Sequence, residues 1–105
     1  MRLQPNEVNA IRQAACDAFL PGTAVFLFGS RLRDEARGGD IDLLVETPEA
    51  LSPEDLVRRR THFVSRIYQA LDEQRIDVVI ATRGQQDGRS VVTMAKRDGL
   101  QVAQV

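Results

Sequence analysis

The sequence has little cysteine and no long apolar run. Cys16 is the only cysteine, so no internal disulfide can form. A free thiol inside a helical pattern usually behaves as a small apolar residue, and a chain without disulfides fits a reducing compartment. No apolar run approaches the length that crosses a bilayer, and the first ten residues lack the apolar stretch of a signal peptide. We therefore expect a cytoplasmic protein that makes no membrane contact.

Neither positive nor negative charge predominates in the sequence. The 14 Lys and Arg residues nearly balance the 15 Asp and Glu residues, so the formal net charge is −1. A nearly neutral chain has no general electrostatic attraction for nucleic acid or for an anionic membrane. Lys96 is the only lysine. Arginine suits phosphate recognition, although a codon-usage bias produces the same composition. Composition therefore predicts no general nucleic-acid binding.

The length and the hydrophobic periodicity predict one α/β or α+β domain over residues 1–105. The apolar fraction of 43% and the charged fraction of 28% are those of an ordinary globular protein. The pattern predicts helices at about 5–19, 52–72 and 90–98, and strands at about 23–28, 40–46 and 75–81. The last six residues alternate weakly and are expected to add a short edge strand. This order predicts a small sheet with helices on at least one face.

Acidic side chains lie on matching faces of two predicted strands. Alternation places Asp40 and Asp42 opposite the apolar residues of DIDLLVE, and it places Asp77 likewise in RIDVVIA. Carboxylates two residues apart, about 7 Å along a strand, repel, so that one tends to take up a proton. A divalent cation with oxygen ligands relieves that repulsion, and paired cations recur in displacement at phosphorus. Exposed acids on the wet face of a sheet are the alternative, and for so short a motif alone they are commoner.

A turn follows the first predicted strand directly. A glycine at position 29 lets the backbone approach a ligand closely. If a helical turn begins at Ser30, its free N–H groups face the same space and favour a triphosphate, with Arg31 nearby. An ordinary turn with a serine cap better explains Gly-Ser taken alone. Gly-Ser, Asp-x-Asp and a later single aspartate occur together by chance much less often than any one of them alone.

At this point the chain resembles a known family. The segments FLFGSRLRDEARGGDIDLLVE and RIDVVIA, with the closing MAKRDGLQV, resemble the signature of the polymerase-β-type nucleotidyltransferase superfamily. Within it, they are most similar to the minimal nucleotidyltransferases of the MntA-like antitoxin type. Gly39 stands where many members have serine. The resemblance implies the nucleotidyltransferase palm, a small mixed β-sheet with helices packed mainly on one face.

The same resemblance implies transfer of a nucleoside monophosphate, usually AMP from ATP, to an acceptor hydroxyl. Asp40 and Asp42 would hold two Mg²⁺ ions, and Asp77 would complete the site and help to deprotonate the acceptor. The residues expected to bind the β- and γ-phosphates of the nucleotide are Gly29, Ser30 and Arg31.

The resemblance also implies a partner. Minimal nucleotidyltransferases often lack an acceptor-binding domain, and many pair with a helical HEPN toxin as its antitoxin. Some adenylylate a tyrosine of that partner, so we expect a protein adenylyltransferase that forms an oligomer with itself or with another chain. Two alternatives remain. One is a non-enzymatic antitoxin that acts by binding, and the other is a nucleotide-binding subunit that modifies a small molecule.

Three further features have simpler explanations. Tyr68 falls beside the apolar stripe of the second long helix, so we expect it to pack in the core. His62 and the arginines at 58–60 are expected on a solvated helix face. Glu46 shares the face of the aspartates but lies farther along the strand, so we do not expect it to bind metal.

Overall fold

The computed structural model describes residues 3–29, 40–71 and 75–105. Every predicted helix and strand is present, and each boundary agrees to within a residue or two. The helical turn considered at Ser30 lies outside the described residues. The elements, in chain order, are α1 (Pro5–Ala18), β1 (Ala24–Phe28), β2 (Ile41–Thr47), α2 (Pro53–Ala70), β3 (Ile76–Thr82), α3 (Ser90–Asp98) and β4 (Leu100–Gln104).

The four strands form one mixed sheet in the order β3-β2-β1-β4. β1 pairs antiparallel with β2 and with β4, whereas β2 and β3 are parallel. Parallel neighbours need a crossover connection, and α2 supplies it. The predicted edge strand is confirmed as β4, and the α+β class with a small mixed sheet is confirmed as well.

The main core lies between the sheet and the helices α1 and α2. Both helices begin where the sequence predicts, with Pro5 and Pro53 in their first turns. The Ser52 hydroxyl accepts a hydrogen bond from the Asp55 amide at 3.1 Å, which caps α2. The ring of Phe63 meets Phe19 edge to face at 5.3 Å. The apolar strand residues of this face include Val25, Leu27, Ile41, Leu43, Val45, Ile76, Val78 and Ile80.

The opposite face carries a smaller apolar cluster beneath α3. Val92 and Ala95 of α3 pack with Phe28, Leu44 and Ala81 of the sheet. Two helices therefore lie on one face and one on the other, which confirms that the helices pack mainly on one side. α3 covers part of the face that carries the aspartates.

Arginine side chains cap backbone carbonyl groups on both edge strands. On β3, Arg60 donates to the Val78 carbonyl at 3.3 Å, and Arg89 donates to the Ile80 carbonyl at 2.8 Å. On β4, Arg12 donates to Val102 at 3.0 Å. Capped carbonyls cannot pair with a further strand, which protects the sheet against edge-to-edge association.

Two expectations for single residues were wrong. Tyr68 is 45% exposed rather than packed in the core, because it lies about 100° around the helix from the buried Ile67. Cys16 is exposed for the same reason, one position after the buried Ala15. Arg60 is exposed as predicted, but it also tethers α2 to the edge of β3. Among the described helices, none combines the length and apolar character needed to cross a bilayer.

Candidate active site

The pairing of β2 with β3 brings two aspartates together. Asp42 and Asp77 occupy matching positions in these parallel strands. Side chains at matching positions point to the same face, and the Asp77 carboxyl group is close enough for its charge to raise the pKa of Asp42. Asp40, one residue before β2, is close enough for its charge to act on Asp42. We call these three residues the acidic trio, and the structure assembles them as the alternation of side chains predicted.

Asp42 is the most perturbed member of the acidic trio. Its pKa is raised above the ordinary value of 3.8, first by burial and then by the charges of Asp77 and Asp40. A hydrogen bond that a protonated carboxyl group would make between Asp42 and Asp77 raises the pKa further, and only the charge of Arg75 opposes these effects. The sequence argument predicted proton uptake from repulsion alone, and burial turns out to be the larger cause.

Arg75 is a member of the site that sequence reasoning missed. Its Nε lies 3.6 Å from Asp40 Oδ2 and 4.0 Å from Asp77 Oδ2. The sequence did contain a signal for this residue. Positions 75 and 77 are two residues apart, so in an extended chain Arg75 lies on the same face as Asp77.

Gly29 joins β1 to the site. Its φ is +78°, in the region that glycine adopts readily. A Cβ built on it would lie 2.2 Å from Asp42 Oδ2, so no larger residue fits without moving that carboxyl group. The Gly29 backbone lies close to the Asp42 side chain, and its predicted approach to a nucleotide stays a prediction. Ser30 and Arg31 lie outside the described residues, and their role stays a prediction.

The donor set of the acidic trio fits a hard divalent cation, because every side chain offers carboxylate oxygens. Even so, among residues 3–29, 40–71 and 75–105 no group of three Asp, Glu, His or Cys side chains is already arranged to hold a metal ion. Two of the three carboxylates face the guanidinium of Arg75 instead. The ligand chemistry therefore fits Mg²⁺, while the arrangement described is one in which an arginine supplies the positive charge.

Glu46 lies on the same face but belongs to a separate group. Its Oε1 is 3.0 Å from Arg83 Nε, and its Oε2 is 3.5 Å from Lys96 Nζ. Two positive side chains already neutralise it. Glu46 is consequently engaged away from the acidic trio, as its distance along β2 suggested.

The comparison with known families agrees with this geometry. The family model described as the nucleotidyltransferase domain matches residues 8–99. That match spans most of the chain and includes Gly29 and the whole acidic trio. The chain belongs to the nucleotidyltransferase domain family. No curated protein sequence matches this nucleotidyltransferase chain.

Solved structures support the same fold. A chain from the crystal structure of a mutant MntA–HpeT toxin–antitoxin is 21% identical with a TM-score of 0.61. A chain from a crystal structure of a toxin–antitoxin with AMP-PNP is 23% identical with a TM-score of 0.61. Each match covers 93% of this nucleotidyltransferase chain and 73% of the other chain. At these identities the likeness establishes a shared fold.

Proposed function

We propose that this nucleotidyltransferase transfers AMP from ATP to an acceptor hydroxyl, with the acidic trio as its metal-binding and catalytic group. One observation carries the proposal: Asp42 and Asp77 meet across parallel strands while the Gly29 backbone packs against Asp42. A partly buried, mutually repelling pair of carboxyl groups is costly for a protein unless a positive ligand uses it.

In this proposal Asp40 and Asp42 hold two Mg²⁺ ions, and Asp77 completes the set of ligands. Bound Mg²⁺ supplies charge stabilisation at the transferred group and lowers the pKa of the attacking hydroxyl. Asp77 is about half exposed and lies beside Asp42, so it is placed to accept the proton of that hydroxyl. The acceptor oxygen bonds to the α-phosphorus, the bond to the bridging oxygen breaks, and pyrophosphate leaves.

The nucleotide-binding role falls to the turn that follows β1. Gly29, with its positive φ, ends β1 directly beside Asp42, so the turn begins at the acidic trio. We assign the β- and γ-phosphates of ATP to Gly29, Ser30 and Arg31. Backbone N–H groups at such a turn bind phosphate well when a helical turn follows.

We further propose that the protein is an antitoxin and that a helical HEPN toxin is its partner and acceptor. The support is the shared fold with a chain of a toxin–antitoxin complex. A tyrosine hydroxyl of that partner is the proposed acceptor, which makes the activity that of a protein adenylyltransferase. The exposed, unpaired Cys16 fits a reducing cytoplasm.

The activity is tested with ATP labelled at the α-phosphate, Mg²⁺ and a candidate helical partner. The wild-type protein should transfer label to the partner, and Asp42→Asn should abolish transfer. Asp17→Asn is a matched control, because Asp17 is a half-exposed aspartate paired with Arg66 between α1 and α2. Label transfer that survives in Asp42→Asn would show that the acidic trio is not the catalytic group.

A second candidate is a non-enzymatic antitoxin that neutralises its toxin by binding. The position of the Arg75 guanidinium favours it, because an arginine already supplies positive charge to Asp40 and Asp77. A toxin-neutralisation assay with Asp77→Ala separates the two, because a protein that acts only by binding keeps its effect when the acidic trio is broken.

A further inference from the structure

The backbone of Arg75 is hydrogen-bonded to the neighbouring chain segment, whereas its side chain is mostly exposed. Its carbonyl accepts a hydrogen bond from the Ile41 amide at 2.9 Å, immediately before the paired positions of β2 and β3 begin. That bond holds the residue at the edge of the acidic trio. The side chain itself is 75% exposed. The guanidinium can therefore leave its partners without any change in the sheet.

The contacts of the guanidinium are electrostatic rather than tightly hydrogen-bonded. Its Nε is 3.6 Å from Asp40, just before β2, and 4.0 Å from Asp77 in β3. Both distances exceed the roughly 2.7–3.2 Å of an N–H···O hydrogen bond. The guanidinium also acts on Asp42, whose pKa its charge lowers. One positive group thus offsets all three carboxyl groups from one position.

We propose that Arg75 is the internal counter-ion of the acidic trio and that a divalent cation must displace it in order to bind there. The proposal rests on the proposed function, since it takes the acidic trio as a metal site. Arg75 is accordingly a positioning residue, which sets how readily the site accepts a cation.

The physical basis is competition between two positive charges for the same carboxylates. A cation that entered beside the guanidinium would be repelled by it, and the guanidinium would lose its partners to the cation. Exposed ion pairs are individually weak, so a cation can displace the guanidinium at a small cost in binding free energy. The nucleotide-free protein should therefore bind divalent cations more weakly than its three carboxylates alone would allow.

Titration of the full chain with Mn²⁺, without nucleotide and at low ionic strength, tests this directly. Free Mn²⁺ is measured by electron paramagnetic resonance, which reads binding independently of activity. Arg75→Gln should bind Mn²⁺ about threefold to tenfold more tightly than the wild type, as expected for the loss of two exposed ion pairs. Arg75→Lys keeps the charge and should restore weak binding.

The matched control is Arg58→Gln. Arg58 is 73% exposed and pairs with Asp55 in the first turns of α2, so the variant loses the same charge from a comparable surface position. It should bind Mn²⁺ as the wild type does. Because the competition is between exposed charges, the gain of Arg75→Gln should also shrink as salt is added.

The outcomes separate this proposal from the proposed function. If Asp42→Asn abolishes Mn²⁺ binding while Arg75→Gln binds no more tightly than the wild type, the counter-ion role is wrong and the metal site stands. If neither the wild type nor Arg75→Gln binds Mn²⁺, with or without ATP, both proposals fall. Equal tightening in Arg75→Gln and Arg58→Gln would show an effect of net charge alone and would also overturn the counter-ion role.

Discussion

Asp42 of β2 lies directly opposite Asp77 of the parallel strand β3, and the charge of Asp77 raises the pKa of Asp42. Burial and the charges of Asp77 and Asp40 make the ionised form of Asp42 costly. A bound cation would remove that cost and leave both carboxyl groups charged. The sheet in this way keeps a binding site at some cost to its own stability.

The first prediction concerns Asp42→Asn in metal-free protein. Because the pKa of Asp42 is raised by folding, the folded state binds the proton more tightly than the unfolded state does. Its contribution to stability is then present at low pH and is lost as pH rises from near 3.8 through the raised pKa. Asparagine cannot ionise, so the variant should be more stable than the wild type at pH 7.

Urea unfolding in the presence of a chelator measures this difference. The advantage of Asp42→Asn should shrink as the pH is lowered toward the ordinary pKa of aspartate. Asp17→Asn should show no such gain, because Asp17 is paired with Arg66. An Asp42→Asn variant that is less stable than the wild type at pH 7 would contradict the repulsion described here.

The second prediction concerns the contact between Gly29 and Asp42. In Gly29→Ala the new Cβ would lie 2.2 Å from Asp42 Oδ2, so the carboxyl group must move away. We expect a loss of stability of more than about 1 kcal/mol, as for alanine at a positive φ, together with loss of ATP and Mg²⁺ binding.

Gly84→Ala is the control for this prediction. Gly84 has nearly the same φ, +77°, but nothing lies within 4 Å of the Cβ position. The control variant should lose stability because alanine is strained at a positive φ, and it should still bind ATP and Mg²⁺. Loss of ATP binding in both variants, measured by calorimetry, would mean that the contact with Asp42 is not what matters.

The third prediction concerns the capped edge of β3. Arg89 donates to the Ile80 carbonyl, and its hydrogen bonds hold the pKa of Asp87 at about 2. Arg89→Gln should lower the free energy of unfolding by about 1 kcal/mol, the usual worth of one hydrogen bond. It should also raise the pKa of Asp87, although the backbone bond from residue 89 remains.

An NMR titration of Asp87 and an unfolding curve test this prediction together. Arg97→Gln serves as the control, because Arg97 pairs only with its exposed neighbour Asp98 in the contacts described. If Arg89→Gln leaves both the Asp87 pKa and the stability unchanged, the edge contact is not formed in solution.

Local patterns explain why so much of the fold was predictable. The alternation of DIDLLVE and RIDVVIA sets which side chains face α1 and α2, and this alone sends Asp42 and Asp77 to the other face. Helix boundaries followed from Pro5, Ser52 and Pro53, whose effects are confined to one turn.

Features that depend on distant contacts were not predictable in the same way. The placement of α3 on the aspartate face depends on its packing against Leu44, which the periodicity of α3 does not specify. The exact register of β2 and β3, which places Asp42 directly opposite Asp77, depends on the pairing of distant segments. The sequence pattern places Arg75 on the face of Asp77, but its contact with Asp40 depends on the pairing of β2 with β3.

The most direct test of the central claim is thermal unfolding with ATP and Mg²⁺ together, compared with either one alone. At about 100 times the dissociation constant, binding to the native state should stabilise the wild-type protein by about 2.7 kcal/mol. We predict that this stabilisation requires both ligands and is absent from Asp42→Asn. An equal stabilisation of Asp42→Asn, or one that ATP gives in the presence of a chelator, would contradict a metal-dependent nucleotide site at the acidic trio.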